Sequence, residues 1–294
     1  MSTRVDMSMQ HITTTPKQEG QRASQLRAVF EKRERGTVLT SKYHTAPIKI
    51  AKAFPLDGQL GVIVMDVSPG LLAGDCYEFD WRLEPGAHAY VTNQSFTKVH
   101  PSNALLGGSS VRQRFELANG SVLESMPEPI MLYLDAALDS ETIVHLGEGA
   151  VWMGAEVLCP GRTLRGELFD YLHLKNKVRV YYEDELIYAQ QQNIIPASQQ
   201  LTAPGCLGQL THTGVFYAFA DRIQTKHAEA VRVALEAMPS REGRMLQWGV
   251  SLTYKHGLAV MAAGTTAWHV QELFAVVWAV LRKELLGLSP FAIS

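Results

Sequence analysis

Ser95 and Lys98 stand in the spacing Ser-x-x-Lys within "TNQSFTKVH" (92–100), directly after the strand-like "AHAYV". In serine–lysine acyl-transfer enzymes that spacing supplies a nucleophile, with the lysine helping to take the serine's proton. His212-Thr213-Gly214 has the pattern of the Lys-Thr-Gly element of the same enzymes. Their chemistry needs the serine to open a long buried helix, with the lysine one turn along it. Here Val99, His100 and Pro101 follow Lys98, and then Leu105-Leu106-Gly107-Gly108. Pro101 disfavours helix at His100, and the paired glycines interrupt anything after it. No Ser-x-Asn or Tyr-x-Asn element lies between the two fragments. A serine–lysine hydrolase or esterase is thus the alternative reading and not the leading one.

Other chemistry is no better marked. Gly-x-Ser-x-Gly and the phosphate-binding Gly-x-x-x-x-Gly-Lys-Ser/Thr pattern are absent. The ten histidines never fall as His-x-x-x-His or His-x-His, so no dedicated metal site is readable. Carboxylates are plentiful, Glu124 and Glu128 or Glu156 and Glu167 among them, which leaves a paired-carboxylate glycosidase open. With Lys+Arg at 27 and Asp+Glu at 29, the formal charge is -2, and no basic run suggests nucleic acid. Cys76, Cys159 and Cys206 are odd in number and lack Cys-x-x-Cys, which fits three packed thiols in a reducing cytoplasm. The longest apolar run, "LFAVVWAVL" (273–281), is less than half of the roughly 20 residues that span a membrane. It reads as a buried helix.

The elements that must position any site are mostly strands. Residues 1–25 read as a polar N-terminal tail, 26–220 as a β-rich domain, and 221–294 as a C-terminal part with two helices that binds partners. "RERG" turns into "TVLTSKY", "LGVIVMDV" is a fully apolar strand, and Glu84-Pro85-Gly86 separates "CYEFDWRL" from "AHAYVTN". "SSVRQRFELANGSVLESM" predicts a hairpin on a tight Asn119-Gly120 turn. Asp221 is the expected cap of a first helix, with Gln224 in the capping-box position and Pro239 as its stop. A second helix is expected over 267–286, ended by Gly287 and Pro290. Its middle is apolar nearly all round, so its own domain or a partner must cover it. Many short strands with little intervening helix leave a sandwich, a barrel and a β-solenoid open.

Four segments in order resemble one family, the urease accessory protein UreD, called UreH in some bacteria. "SPGLLAGD" (68–75) resembles its glycine-rich stretch ending in Gly-Gly-Asp, with Gly70, Gly74 and Asp75 in register. "TNQSFTKVH" resembles its Thr-Thr-Gln…Thr-Lys-Val-Tyr segment through Thr92, Gln94, Thr97 and Lys98. "LESMPEP" (123–129) carries Glu124 and Pro127, and "EVLCPGRTLRGELF" (156–169) carries Glu156, Gly161, Arg162, Gly166 and Glu167. Pro69, Ala73, Asn93 and His100 depart from the family pattern, and "LSPFAIS" lacks the family's usual close. The resemblance implies a mainly β fold, solenoid-like stacked sheets with a small C-terminal helical element. It implies a scaffold and not an enzyme: assembly with UreF and UreG as a dimer of heterotrimers, docking on apo-urease, and nickel handled only in transit. No tightly bound cofactor, nucleic acid or membrane is implied, and the setting is cytoplasmic. Charged residues inside a β-stack must be paired or wet. Two roles therefore stand open for Asp75, Lys98, Glu156, Arg162 and Glu167: ion pairs that hold loops, with Lys98 or Arg162 against Glu167 or Asp75, or the lining of a water-filled passage.

Overall fold

The computed structural model describes residues 22–56, 58–239 and 245–291. The chain opens on two antiparallel hairpins. β1 (Arg22–Arg33) pairs with β2 (Gly36–His44), and β3 (Ile48–Leu56) pairs with β4 (Gln59–Asp66). The chain then alternates between two sheets. β5 (Asp75–Leu83) lies beside β1, whereas β6 (His88–Asn93) lies beside β4 and leads to the short β7 (Thr97–Val99). β8 (Ser109–Leu117) returns to β5, and β9 (Val122–Ser125) to β6, followed by β10 (Ile130–Leu132) beside β7. β11 (Ala137–Leu146) joins β8, and β12 (Val151–Cys159) joins β9. β13 (His173–Tyr182) and β14 (Glu185–Ile194) finish the first sheet as a hairpin. β15 (His212–Phe219), helix α1 (Thr225–Glu236), β16 (Leu246–Leu252), β17 (Gly257–Gly264) and helix α2 (Ala267–Leu286) complete the chain.

The first sheet has seven strands in the order β14-β13-β11-β8-β5-β1-β2. The second has ten, in the order β16-β17-β15-β12-β9-β6-β4-β3 with β7 and β10 beside that path. Both are mixed: neighbours are parallel at the centre and antiparallel at the ends. Both are open, so the protein is mainly β without a closed barrel. The faces of the two sheets bury Phe30, Trp81, Phe115, Leu123, Trp152 and Phe219 between them. The other face of the second sheet buries Phe216 and Val260 against Val231 of α1 and Phe274, Val277 and Leu281 of α2. The protein itself therefore covers two sides of the apolar helix, while Ala275 stays exposed.

Two sequence expectations change here. The hairpin expected over 109–126 does not exist, because β8 and β9 belong to different sheets. Gly120, with φ +66, does turn the chain, but at a corner between layers, where its N–H donates to Glu148 O at 2.8 Å. Alternation reports which face is buried, not whether the next strand pairs or crosses to another layer. The first helix is capped by Gln224 and not by Asp221: Gln224 and His227 form the reciprocal capping box. Asp221 instead accepts a hydrogen bond from Gly149 N at 2.9 Å. The second helix has the expected bounds, with Thr266 accepting from His269 N and Gly287 left-handed at its end. β16 and β17, within the part expected to hold two helices, were not anticipated.

One buried polar cluster joins α2 to the second sheet. Glu124 on β9 is fully buried, and its carboxylate meets the Arg282 guanidinium, His88 Nε2 at 2.7 Å and Trp278 Nε1 at 2.5 Å. Arg282 also donates to Gln59 Oε1 at 3.0 Å and to Ser289 O at 2.8 Å. Phe291 closes over it, its ring 4.6 Å from the guanidinium carbon. Burial alone would raise the Glu124 carboxyl, but the hydrogen bonds from His88 and Arg282 outweigh it and hold the group below the usual carboxylate range. Glu124→Gln strands Arg282 in the interior, an expected loss of roughly 3–5 kcal/mol in denaturant unfolding. Replacing both members, Glu124→Gln with Arg282→Met, should recover much of that. Equal stability of the single variant and the parent would refute the assignment.

Candidate functional site

The loop after β4 and the segment 92–100 lie against each other. Tyr77 OH donates to Asp66 Oδ2 at 2.9 Å, and Ser68 Oγ donates to Asp66 Oδ1 at 2.6 Å. Gly70 has φ +135, and a Cβ there would collide with the Lys98 carbonyl, so the close approach requires glycine. Leu71 N donates to Lys98 O at 2.8 Å, and His100 N donates to Leu71 O at 2.9 Å. The segment 92–100 is tied in turn to the proline-containing stretch. Thr92 Oγ1 donates to Met126 O at 2.7 Å, Thr97 N to Pro129 O at 2.9 Å, and Glu128 N to Asn93 Oδ1 at 2.5 Å. Gln94 N donates to Val64 O at 2.9 Å. Two residues that depart from the family pattern also meet: His100 Nε2 lies 3.1 Å from Pro69 O.

These segments surround a cavity of about 150 Å³ between the sheets. Asp66, Gly70, Asn93, Lys98, Pro127 and Glu156 line it, so each of the four sequence segments contributes. Glu156 points between the sheets from β12, deep in the protein, with its remaining accessible surface toward this cavity. Its Oε2 accepts from Asn176 Nδ2 at 2.8 Å and from Tyr217 OH at 3.4 Å. Burial pushes its carboxyl above the ordinary range, and those two hydrogen bonds only partly oppose it. Asn176 is buried, and among the described residues its Oδ1 has no partner. The floor is thus the Glu156 carboxyl with one unused oxygen acceptor, backed by the buried Asn176 amide, an arrangement suited to water or a hydrated cation. Among the described residues no three His, Cys, Asp or Glu side chains converge to hold a metal ion.

The remaining residues singled out by sequence lie elsewhere or serve the backbone. Arg162 and Glu167 form a close ion pair across the turn Thr163–Arg165, and Arg162 also lies 4.2 Å from the Tyr133 ring centroid. Of the pairings considered, the structure brings together Arg162 and Glu167; neither lines the cavity. Gly161 has φ +145 and passes so close that a Cβ would sit 2.9 Å from Glu167 O. Gly166 closes the turn, and Gly74 N donates to Gly108 O at 3.2 Å. Asp75 accepts from Leu72 N at 2.8 Å and shapes its own loop. Lys98 is exposed at the cavity rim and forms no ion pair among the described residues. Ser95 is exposed on a bend before β7, so no helix carries the Ser-x-x-Lys pair. His212-Thr213-Gly214 opens the interior strand β15. Asn176 and Tyr217 were missed. Asn176 was legible as a polar residue on the apolar face Leu174, Val178, Val180 of its strand.

Comparison with known sequences decides the family. The sequence profile of the UreD urease accessory proteins matches residues 22–293. The chain belongs to the UreD family. It is 30% identical over 248 residues to a urease accessory protein UreD of Acetivibrio thermocellus, covering 83% of this chain and 92% of that protein. A UreD of Haloarcula marismortui is 28% identical over 265 residues, covering 89% of this chain and 86% of its own. A urease accessory protein UreH of Helicobacter hepaticus is 25% identical over 192 residues, covering 65% and 75%. Family membership therefore rests on nearly the whole described chain, well beyond the four segments.

The Arg162–Glu167 pair gives a pH-dependent test. Hydrogen bonds from Arg162 outweigh desolvation and hold the Glu167 carboxyl below its ordinary range. A depressed carboxylate contributes stability above its unfolded pKa and loses it as pH falls through the folded value. Glu167→Gln should therefore lower Tm at pH 7, with the difference closing in acid. Melting curves that coincide at every pH would show that the pair holds nothing.

Proposed function

We propose that this chain is a non-catalytic scaffold for urease maturation, joining UreF and the GTPase UreG and docking with them on apo-urease. Nickel is the cargo, delivered through UreG and the metallochaperone UreE, and it crosses this chain in transit without a resident site. The urease lysine is carbamylated by carbon dioxide before it holds two nickel ions. The assembly is a dimer of heterotrimers in the cytoplasm. The observation that carries the reading is the convergence of all four family segments on one cavity whose floor is Glu156. Weakly held oxygen ligands suit a metal that must enter and leave. We read the alternating climb from β4 to β13 as a short solenoid of two sheets, whose interior is the natural place for such a route. Within the five charged residues, Glu156 and Lys98 belong to the passage, and Arg162, Glu167 and Asp75 to the loops around it.

Reconstitution with purified UreF, UreG, apo-urease, nickel, bicarbonate and GTP tests this. Omitting the chain should abolish activation, and Ser95→Ala should leave it intact. Glu156→Gln keeps shape and hydrogen bonding but cannot ionise. Activation should fall on the order of tenfold, the scale of losing one group that helps hold a metal, while the complex still assembles. A raised carboxyl contributes stability below its unfolded pKa and loses it as pH rises through the folded value. The parent should thus lose Tm relative to Glu156→Gln as pH rises, and the two should converge in acid. Full activation by Glu156→Gln removes the passage, and failure of the parent to bind any of the three proteins removes the scaffold.

A further inference from the structure

The two sheets end unevenly. β14 lies over β15, with Tyr188 packed on Tyr217 and Phe219 at ring-centroid distances of 6.0 and 5.2 Å. Beyond that point the second sheet continues through β17 and β16, and the first sheet has no strand to cover them. Register places the uncovered face in three pairs on β17 and β16, Ala263–Gln247, Met261–Gly249 and Ala259–Ser251, which continue the rows begun on β15 by Thr213 and the buried Val215 and Tyr217. This is a flat shelf of small side chains around Met261, which is 57% exposed. A groove of about 560 Å³ runs along it, walled by Gln192 and Ile194 of β14 and by Leu201 and Leu207 of the following loop.

At this end Arg232 of α1 caps the β16 edge through Val250 O at 2.9 Å, whereas β14 has no charged guard. From Leu186 to Ile194, and through β16 and β17, there is neither a charge nor a proline. The opposite edges are protected. β2 carries Lys42, and β3 carries Lys49, Lys52 and Pro55. An open, uncharged edge beside an uncovered apolar shelf is the geometry that accepts an added strand. Such a strand hydrogen-bonds to β14 about 4.8 Å away and sends every second side chain down onto the shelf, completing the first layer over β17.

We propose that β14 is the docking edge for an extended, uncharged segment of one of the partner proteins, apolar at alternate positions, and this rests on the scaffold reading above. The neutral lining selects a neutral segment, since a charge laid on the shelf would be desolvated without a partner. A second copy of this chain does not fit by antiparallel edge pairing. Antiparallel pairing of two β14 edges puts both overhanging β17–β16 pairs in the same layer, where they collide. The Asn193 carbonyl, capped by Gln199 Nε2 at 3.2 Å, marks the end of the open stretch.

Hydrogen exchange on the full chain, alone and with purified UreF, UreG or apo-urease added singly, tests the proposal. The outward-facing amides of 186–194, those not bonded to β13, should exchange readily in the free chain and slow markedly with one partner. Met261→Lys should weaken that partner's binding about tenfold or more, the scale of one uncompensated contact at an interface, with Tm unchanged. Because Met261 is already exposed, the variant should fold. Tight binding of all three partners with exchange at 186–194 unaltered overturns the docking edge but leaves the scaffold. Protection of those outward-facing amides already present in the free chain assigns the edge to the chain itself, and protection of them that grows with its concentration assigns it to a dimer; either overturns the proposal. Absence of binding by all three removes the scaffold and the docking edge together.

Discussion

The ion pair between Glu124 and Arg282 ties the helical layer to the sheets. Strand β9 contributes only a few residues, yet its Leu123 and Glu124 face opposite layers: one enters the core between the sheets, the other the core beneath the helices. Two charges taken from water need close geometry and further hydrogen bonds to offset their desolvation. His88, Trp278, Gln59 and the Ser289 carbonyl supply those bonds, and Phe291 shields the guanidinium. The contacts come from β4, β6, β9, α2 and the segment after it. Their simultaneous satisfaction allows essentially one placement of the helix, which apolar packing, being non-directional, would leave less defined.

That constraint reaches the cavity through β9. Directly after Glu124, residues Ser125 to Ile130 run along the cavity rim, where Met126, Glu128 and Pro129 hold Thr92, Asn93 and Thr97. Gln271 of α2 donates to Glu128 Oε2 at 3.1 Å, a second link from the helix to the same stretch. The helix and the cavity rim are therefore mechanically one unit. A protein that pressed on α2 would bear on the cavity through Gln271 and β9, with no need for a distant conformational change.

The sequence was most legible where local rules act alone. The bounds of α2 followed from its cap, its apolar face and Gly287, and strand existence followed from alternation. Layer assignment was not legible, because alternation in Val111, Gln113, Phe115 and Leu117 is the same whether the next strand pairs or crosses over. β16 escaped notice because "LQWGVSL" is short and mixes glycine and serine with apolar residues. At the site, the charges of the family segments were all visible, but their pairing depended on loop geometry that spacing does not encode. Arg162 and Glu167 are five residues apart and meet only because a single turn ending at left-handed Gly166 folds one onto the other. Glu156 was visible, whereas its neighbours Asn176 and Tyr217 come from strands 20 and 61 residues further on.

The carboxylates of the protein fall into two electrostatic environments. Glu124 and Glu167 each face a guanidinium and are held below the ordinary carboxylate range. On the outer face of the first sheet, Glu78 and Glu141 sit across from Arg112 and Arg179 at 3.7 and 3.1 Å. Glu156 has only neutral partners, an amide and a phenol, and burial pushes its carboxyl up. A group that costs desolvation and gains no countercharge does not stabilise the fold in its ionised form. Leucine or glutamine would serve packing at least as well. In the proposed passage, a carboxyl there would offer a cation something those residues cannot, an oxygen ligand able to gain and lose charge. Under that proposal the absence of a fixed positive partner matters, because an arginine beside Glu156 would occupy its oxygens permanently.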